Sequence, residues 1–359
     1  MIGMMSKQER VKLFKQVFSP IKGERILILT DMPHDDIFDN ASWIERREMA
    51  NDWFQTLKEM GKDTGFSVET YSFPATGTNN KQISDETKNI VRKYNLVIAM
   101  TEYSATSSLA PIRLEKNLSF RCASMPGVER RMEDTSLRSD YSLVKKYSLA
   151  LEKILDTVVG AEIDFSNGDH LFLDLRNRKP LADLGDCTKP GHTINLPSGE
   201  TCIVPYEASE DEKERYGTSK TKGILPVRYA DDLIRYHIKD NKIVTVESNS
   251  NTAQDIKKFF QENKCRRNIA ELGIGCNPNA VVTGNVLEDE KVPGLHIAYG
   301  MSSHIGGKID CDMHQDICYP MEAPIQAISL IVIHKNGERT ELINKNGLRF
   351  DVLQRIQIR

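Results

Sequence analysis

The chain has 359 residues, of which 39% are hydrophobic and 28% are charged, and its formal net charge at pH 7 is -3. This globular composition excludes a disordered chain, and the near-neutral charge without a long Lys/Arg stretch argues against nucleic acid as a partner. No apolar run approaches the ~20 residues that cross a bilayer, and the amphipathic N-terminus lacks the apolar core of a signal peptide, so we expect a cytoplasmic protein with no membrane partner.

The first 150 residues alternate between strand-like and helix-like segments. In chain order, strands are predicted at 24–30, 66–73, 95–100 and 118–124, and helices at 40–62, 84–94 and 110–116. This alternation predicts a parallel sheet covered by helices, as in an α/β domain. A long helix, predicted over 140–159, leads into the second half of the chain.

The carboxyl ends of the predicted strands are where ligands of such sheets usually bind. Here those ends are 30–31, 101–104 and 124–127, and the Thr/Ser-rich stretch 101–108 could bind a small ligand or simply form a turn and a helix cap. The sequence contains neither G-x-G-x-x-G after the first strand nor G-x-x-x-x-G-K-[ST] anywhere. A standard dinucleotide or P-loop site is therefore not expected.

The second half changes character, because short strands and Gly/Pro/Asn turns dominate it. Strands are predicted at 161–165, 170–175, 203–205 and 242–247, and one helix at 251–263. The length of the chain suggests about two domains. We therefore expect a Rossmann-like α/β domain over residues 1–155 and an α+β metal-site domain over residues 156–359.

The seven cysteines fit a reducing compartment, because their number is odd and no C-x-x-C occurs. The pairs closest in sequence, Cys311/Cys318 and Cys265/Cys276, lack zinc-finger spacing. Most of the seven are expected to be reduced, buried and inert.

Four segments of the second half place metal-ligand residue types beside turn residues. They are 195–200 (NLPSGE), 271–278 (ELGIGCNP), 289–300 (DEKVPGLHIAYG) and 303–316 (SHIGGKIDCDMHQD). In the last segment His314 and Asp316 are two residues apart, so on a strand both would face one side and reach one cation. Imidazole and carboxylate are ligands that zinc, manganese, cobalt and iron accept.

Each candidate also has an ordinary structural interpretation. His296 has apolar neighbours and could be a hydrogen-bonded core histidine, and Glu200 follows Pro-Ser-Gly, which could be a plain turn. Glu271 precedes an apolar Leu-Gly-Ile-Gly stretch, where a carboxylate is costly unless it binds a metal or pairs with the arginine at 266 or 267. Together the three carboxylates and two imidazoles suffice for one or two metals with a position left open for water: Glu200, Glu271, His296, His314 and Asp316.

The four segments resemble the metalloaminopeptidases of the aminopeptidase T and aminopeptidase S type. That family has, in the same order, N-x-P-x-G-E, E-L-G-I-G-x-N, D-E-K-x-x-G-x-H-I-A-x-G and H-x-D. The resemblance is strong over about residues 190–320 and much weaker over residues 1–150. It implies a homodimeric hydrolase with two divalent cations (zinc, cobalt or manganese) per chain and a peptide or small-molecule substrate. The ligands that it implies are Glu200, Glu271, His296, His314 and Asp316.

The sequence departs from that family in three ways. The chain is shorter, and so is the loop between His296 and His314. The family's catalytic tyrosine, expected a few residues after the third segment, has no clear match. Tyr299 or His304 could take its place as a catalytic residue.

The first half resembles a second group of proteins, mainly through the segment 121–127 (RCASMPG). This group includes 2,5-dihydroxypyridine dioxygenase, which holds one Fe(II) with two histidines and an aspartate. The resemblance implies an alternative site in which His296, His314 and Asp316 form a facial triad. That family is expected to have a histidine where this chain has Glu271, which favours the hydrolase.

Three hypotheses follow from the sequence. The first is amide hydrolysis by two cations roughly 3.5–4 Å apart that share a water. In it Glu271 bridges the cations, and Glu200 is either a ligand or the general base. The second is aromatic ring cleavage at a single Fe(II). The third is a non-catalytic protein that binds a small molecule and keeps the metal for structure.

Overall fold

The computed structural model of the chain describes residues 5–115 and 119–358. Its helices, in chain order, are α1 Lys7–Val17, α2 Ala41–Thr64, α3 Asp85–Val91, α4 Thr106–Leu109, α5 Tyr141–Leu155, α6 Glu210–Tyr216, α7 Asn251–Glu262, α8 Val286–Asp289 and α9 Phe350–Gln354. Its strands are β1 Arg25–Met32, β2 Ser67–Pro74, β3 Leu96–Ala99, β4 Arg121–Ser124, β5 Val158–Phe165, β6 His170–Asp174, β7 Pro180–Asp183, β8 Thr193–Asn195, β9 Glu200–Ile203, β10 Lys222–Tyr229, β11 Asp232–Lys239, β12 Lys242–Glu247, β13 Ile269–Gly275, β14 Gly294–Gly300, β15 His314–Cys318, β16 Ala327–His334, β17 Arg339–Asn344 and β18 Gly347–Leu348. None of the helices in these ranges is long and apolar enough to cross a membrane.

The chain divides into two compact units, each built from several segments. Unit 1 contains the described residues up to Lys145, together with Asp183–Ser198 and Asn277–Glu288. Unit 2 contains Lys146–Ala182, Gly199–Cys276 and the described residues from Asp289 onward. The division expected from the sequence, after residue 155, assigns the two later segments of unit 1 to the second domain. Local patterns cannot reveal that a strand such as β8 joins a sheet formed much earlier in the chain.

Unit 1 contains a parallel sheet with the strand order β2-β1-β3-β4-β8. Alternating side chains of β1 point to the two faces of the sheet. Ile26 and Ile28 pack in one hydrophobic cluster with Trp53 of α2, whereas Leu27 and Leu29 pack in another with residues of α3. Burial of both faces explains why β1 is a nearly continuous apolar run rather than an alternating one. The prediction of a parallel sheet covered by helices is confirmed.

The predicted elements of this half match the structure with small shifts at their ends. The strand predicted over 118–124 is found as β4, and its predicted first residue, Leu118, lies outside the described residues. The helix predicted over 110–116 is a 3-10 helix, Ala110–Leu114, and Lys116 also lies outside them. The helix predicted to end at 159 ends at Leu155, because the β-branched Val158 and Val159 begin β5 instead.

The carboxyl end of β1 is occupied by internal hydrogen bonds. Asp31 is fully buried and accepts hydrogen bonds from the backbone N–H groups of Glu102 (2.8 Å) and Tyr103 (3.1 Å) and from Trp43 Nε1 (3.0 Å). The Thr101 hydroxyl donates to the carbonyl of Tyr103 at 2.8 Å. These contacts tie β1 to the turn after β3 and favour the structural interpretation of the Thr/Ser-rich stretch over a ligand site.

Unit 2 contains two further sheets. The larger is antiparallel throughout, with the order β12-β11-β10-β6-β5-β16-β17-β18. The smaller has the order β15-β14-β13-β9-β7, and its first four strands are antiparallel to one another. A strand was predicted at 203–205, but the structure begins it at Glu200 and ends it at Ile203. This correction matters, because it puts Glu200 on a strand rather than in a turn.

A disulfide joins Cys265 to Cys311 in unit 2, with the Cα atoms 5.6 Å apart. Cys265 lies in a 3-10 turn just before β13, and Cys311 lies in the loop before β15. The other five cysteines are not in disulfides, which agrees with the expectation that most of the seven are reduced. The two partners are 46 residues apart, so no local spacing indicates the bond.

Loss of this disulfide is expected to lower the free energy of unfolding by about 2–4 kcal/mol, because the cross-link restricts the unfolded chain. Urea denaturation of oxidised protein, with and without a thiol reductant, measures the difference. The variant Cys265→Ser/Cys311→Ser is the control, since its urea midpoint of unfolding should be the same with and without the reductant. Equal midpoints for oxidised and reduced wild type would show that the bond adds no stability.

Candidate metal centre

Four neighbouring strands of the smaller sheet carry the predicted ligands on one face. In the register of the sheet, Glu200 lies opposite Gly275 of β13, and His296 lies opposite Gly273. Ala298 of β14 lies between Glu271 and Asp316. Residues paired across antiparallel strands share a face, and so do residues two apart on one strand. Because side chains alternate between the two faces of the sheet, all five of these side chains lie on the same face, although they are far apart in sequence.

The carboxylates and imidazoles of these residues lie within contact distance of one another. Glu271 is the centre of the cluster, with Oε1 at 3.3 Å from His296 Nε2 and Oε2 at 3.2 Å from His314 Nε2. Glu200 Oε2 lies 3.2 Å from His296 Nε2, and Asp316 Oδ1 lies 3.5 Å from His314 Nε2. Each imidazole thus lies between two carboxylates.

The cluster contains two sets of potential ligand atoms that share one residue. One set is Glu200, Glu271 and His296, and the other is Glu271, His314 and Asp316. Within each set the ligand atoms lie within 4.8 Å of one another. Because the two oxygens of Glu271 face different imidazoles, this carboxylate has the arrangement of a bridge between two cations.

Gly273 makes room for the His296 ring. A Cβ atom at this position would lie 1.8 Å from His296 Nε2, far inside van der Waals contact. The ring therefore lies directly over the backbone of β13, and no other residue type fits beneath it. This explains the first glycine of the Leu-Gly-Ile-Gly stretch that follows Glu271.

The backbone fixes the orientation of the His314 ring. Its Nδ1 donates a hydrogen bond to the carbonyl of Met301 at 2.6 Å. A carbonyl can only accept, so this contact keeps the Nδ1 proton in place, and a neutral ring would present the lone pair of Nε2 to a cation. Nε2 is also the atom that faces Glu271 and Asp316.

Strong electrostatic coupling accompanies this geometry. Burial would raise the pKa of Glu271, but hydrogen bonds from His296 and His314 hold it well below its usual range. Burial would lower the pKa of both imidazoles, but the adjacent carboxylates raise it, to about 12 for His314. Without a bound metal, the carboxylates therefore favour the charged form of both imidazoles.

Raising the pH is expected to destabilise the metal-free protein through His314. A histidine with a raised pKa contributes stability that is fully present below its unfolded value of about 6.5 and is lost as the pH rises toward its folded value, here about 12. The melting temperature of metal-free protein should fall between about pH 7 and about pH 9. The variant His314→Gln should lack this component, so identical pH profiles for the variant and the wild type would contradict the prediction.

The donor set fits divalent metal ions. Nitrogen and oxygen ligands of this kind suit zinc, cobalt, manganese and iron. Glu200 Oε2 is buried and accepts no hydrogen bond from any residue in the described ranges, which is costly unless another partner is present. This oxygen lies 3.2 Å from His296 Nε2, and Glu200, Glu271 and His296 together could hold a cation.

The structure also resolves the alternative of an ion pair for Glu271. Arg266 binds Asp312, with both carboxylate oxygens 3.1 Å from its Nε, and Arg267 donates to the carbonyls of Phe260 and Ile243. In the described chain, both arginines thus have other partners. The charge of Glu271 is balanced by histidines instead.

The two candidates for the catalytic tyrosine have different positions. Tyr299 is buried on the opposite face of the sheet, with its ring 5.9 Å from that of Tyr236 and 5.6 Å from that of Phe260. It lies three residues after His296, and strand alternation therefore points it away from the cluster. The structure does not bring Tyr299 to the site, which corrects the expected role.

His304 lies beside the cluster, with its ring centroid 4.7 Å from that of His314. Its pKa is lowered, first by burial and then by His314. The residue as a whole is nevertheless exposed to solvent. A largely neutral imidazole at the edge of the cluster could accept or donate a proton at neutral pH.

Two further residues of the site were not predicted as ligands or catalytic groups. Lys291 is fully buried, and its ammonium contacts Glu200 Oε1 and lies 2.7 Å from Glu290 Oε1. Cys202 is buried on β9 beside Glu271. A lysine within an acidic segment usually indicates a solvated loop, and only the fold shows that this one is enclosed.

Comparisons with known proteins show a shared fold. Neither a protein-family model nor a curated protein sequence matches the chain. Among solved structures, 2,5-dihydroxypyridine dioxygenase from Pseudomonas putida KT2440 is similar with a TM-score of 0.69 and 15% identity, over 96% of this chain and 97% of that one. AmpT from Thermus thermophilus is similar with a TM-score of 0.61 and 13% identity, over 96% and 99%. At these identities the likeness establishes a distant structural relationship.

Proposed function

We propose that the chain is a metal-dependent hydrolase that cleaves an amide bond, in the manner of an aminopeptidase, with two divalent cations per chain. The observation that carries the proposal is the pair of ligand sets that share Glu271. A carboxylate with an imidazole at each oxygen suits a bridge between two cations of a hydrolytic centre. Zinc, cobalt and manganese suit these ligands.

The residues have distinct parts in this proposal. Glu200 and His296 would hold one cation, His314 and Asp316 the other, and Glu271 both. Bound cations would supply polarisation of the scissile carbonyl and a lowered pKa for an attacking water. Glu200 Oε1 is engaged by Lys291, which favours a ligand role for Glu200 over that of general base. His304 remains the candidate for proton transfer, since it borders the cluster without being one of the five ligands.

The alternative is a mononuclear iron dioxygenase, which the structural likeness to 2,5-dihydroxypyridine dioxygenase favours. In that case His296, His314 and Asp316 would hold one Fe(II). Glu271 argues against it, because its carboxylate lies between the two imidazoles and would be a fourth, anionic ligand.

Metal content and turnover test the proposal together. Protein purified without chelator and without an affinity tag is analysed for bound metals and assayed on aminoacyl-p-nitroanilides and short peptides. Two equivalents of zinc, cobalt or manganese with amide hydrolysis support the hydrolase. One equivalent of iron, with oxygen consumption on 2,5-dihydroxypyridine after anaerobic loading with Fe(II), establishes the alternative. Stoichiometric metal without turnover on either panel supports a structural metal in a binding protein.

A further inference from the structure

Lys291 is an unusual residue for the interior of a protein. Its side chain is fully buried, and lysine is rarely found so unless it is paired. The ammonium contacts one oxygen of Glu200 and one of Glu290, at 2.7 Å in the second case. A buried cation between two carboxylates balances their charge, and it also fixes where their oxygens point.

The backbone near Lys291 is held against β13 by a second glycine. A Cβ atom at Gly275 would lie 2.2 Å from the carbonyl oxygen of Val292 and 2.5 Å from that of Glu290. Gly275 is also the residue paired with Glu200 across the sheet. The close approach that this glycine permits therefore brings Lys291 to Glu200.

The two oxygens of Glu200 consequently have different surroundings. Lys291 engages Oε1, whereas Oε2 is buried, accepts no hydrogen bond from the described residues and lies 3.2 Å from His296 Nε2. A carboxylate held in this way can offer a cation only its second oxygen. The other ligand set, formed by Glu271, His314 and Asp316, does not include Glu200.

We propose that Lys291 is a positioning residue that makes Glu200 a one-oxygen ligand and thereby supports one of the two cation positions selectively. The inference rests on the proposed two-cation site. It assigns Lys291 to the position formed by Glu200, Glu271 and His296, and not to the position formed by Glu271, His314 and Asp316. Groups that orient a metal ligand typically contribute about 10- to 100-fold to metal affinity.

The test is a titration of metal-free protein with Co(II), followed by visible absorption. In Lys291→Met, one of the two Co(II) affinities should fall by about tenfold or more, while the other stays unchanged. The spectrum of the remaining Co(II) should match that of Glu200→Gln and differ from that of Asp316→Asn. Lys179→Met, which removes an exposed lysine paired with Asp156, is the matched control and should bind both ions normally.

Removal of a buried cation could unfold the chain, so a second variant also removes a carboxyl group that the ammonium contacts. Lys291→Met/Glu290→Gln removes the ammonium together with the Glu290 carboxyl group, and it should fold while still losing the same Co(II) affinity. Unchanged affinities in a folded variant, or an equal fall at both positions, would overturn the role of Lys291. Wild-type protein that binds fewer than two Co(II) ions would instead refute the two-cation proposal, whatever the variants show.

Discussion

Replacement of Glu271 by glutamine is expected to abolish the binding of both cations and all metal-dependent activity. The substitution keeps the shape of the side chain but leaves one oxygen and adds an NH₂ group, which cannot ligate a metal. Since each oxygen of Glu271 faces a different imidazole, either orientation of the amide loses one position outright. The other position loses an anionic ligand, and its affinity should fall by at least about 100-fold.

A series of single variants separates a bridging role from an ordinary ligand role. Glu200→Gln and Asp316→Asn should each weaken one Co(II) position, because each side chain belongs to one ligand set. Only Glu271→Gln should weaken both. The exposed pair of Glu162 with Arg339 provides a control, and Glu162→Gln should bind two ions like the wild type. A Glu271→Gln protein that retains one ion at wild-type affinity would reduce Glu271 to a ligand of a single position.

The candidate ligands could be singled out from the sequence because the segments that carry them are short and local. The segments around Glu271, His296 and His314 each combine a ligand type with small or turn residues, and a strand carries residues two apart on one face. Their convergence is a property of the antiparallel register, in which Ala298 lies between Glu271 and Asp316. The sequence indicates the strands, but not which strands become neighbours.

The sequence analysis was less successful for Tyr299 and Lys291, because their positions also depend on how the strands are arranged. Tyr299 was considered in place of the family's catalytic tyrosine, although it lies three residues after His296, and three residues on a strand reverse the face. Lys291 was passed over because burial of a charge depends on partners that come from distant strands. The Cys265–Cys311 bond and the place of β8 in the parallel sheet likewise join segments that no local pattern connects.

The fold was most predictable where a single local effect, such as burial or helix capping, determines the structure of a segment. In unit 1, β1 is apolar because both of its faces are covered, and Asn40 caps α2 by accepting a hydrogen bond from the N–H of Trp43 at 2.9 Å. The ends of helices and strands were harder to predict where a segment could continue a helix or begin a strand. Thus the valines at 158 and 159 extended the predicted helix, although β-branched residues favour the strand that they begin.

Substitution of Gly273 by alanine is expected to damage the site more than a single methyl group usually would. The added Cβ would lie 1.8 Å from His296 Nε2, so the ring must move away from Glu271 and Glu200. Overpacking of this kind costs about 1–3 kcal/mol of stability, and the displaced ligand should lower the affinity of its cation by about tenfold or more. Backbone strain is not the cause, because Gly273 does not have a positive φ.

A double-mutant cycle isolates this clash. Stability is measured by urea denaturation for the wild type, Gly273→Ala, His296→Ala and the double variant, all without metal. If the methyl group harms the protein only through the imidazole, it should cost almost nothing once His296 is alanine, and it should even stabilise the strand slightly by restricting the unfolded chain. An undiminished cost in the double variant would mean that Gly273 is required by the backbone of β13 itself. Near-complete coupling would show instead that Gly273 is required by the His296 ring that lies over it.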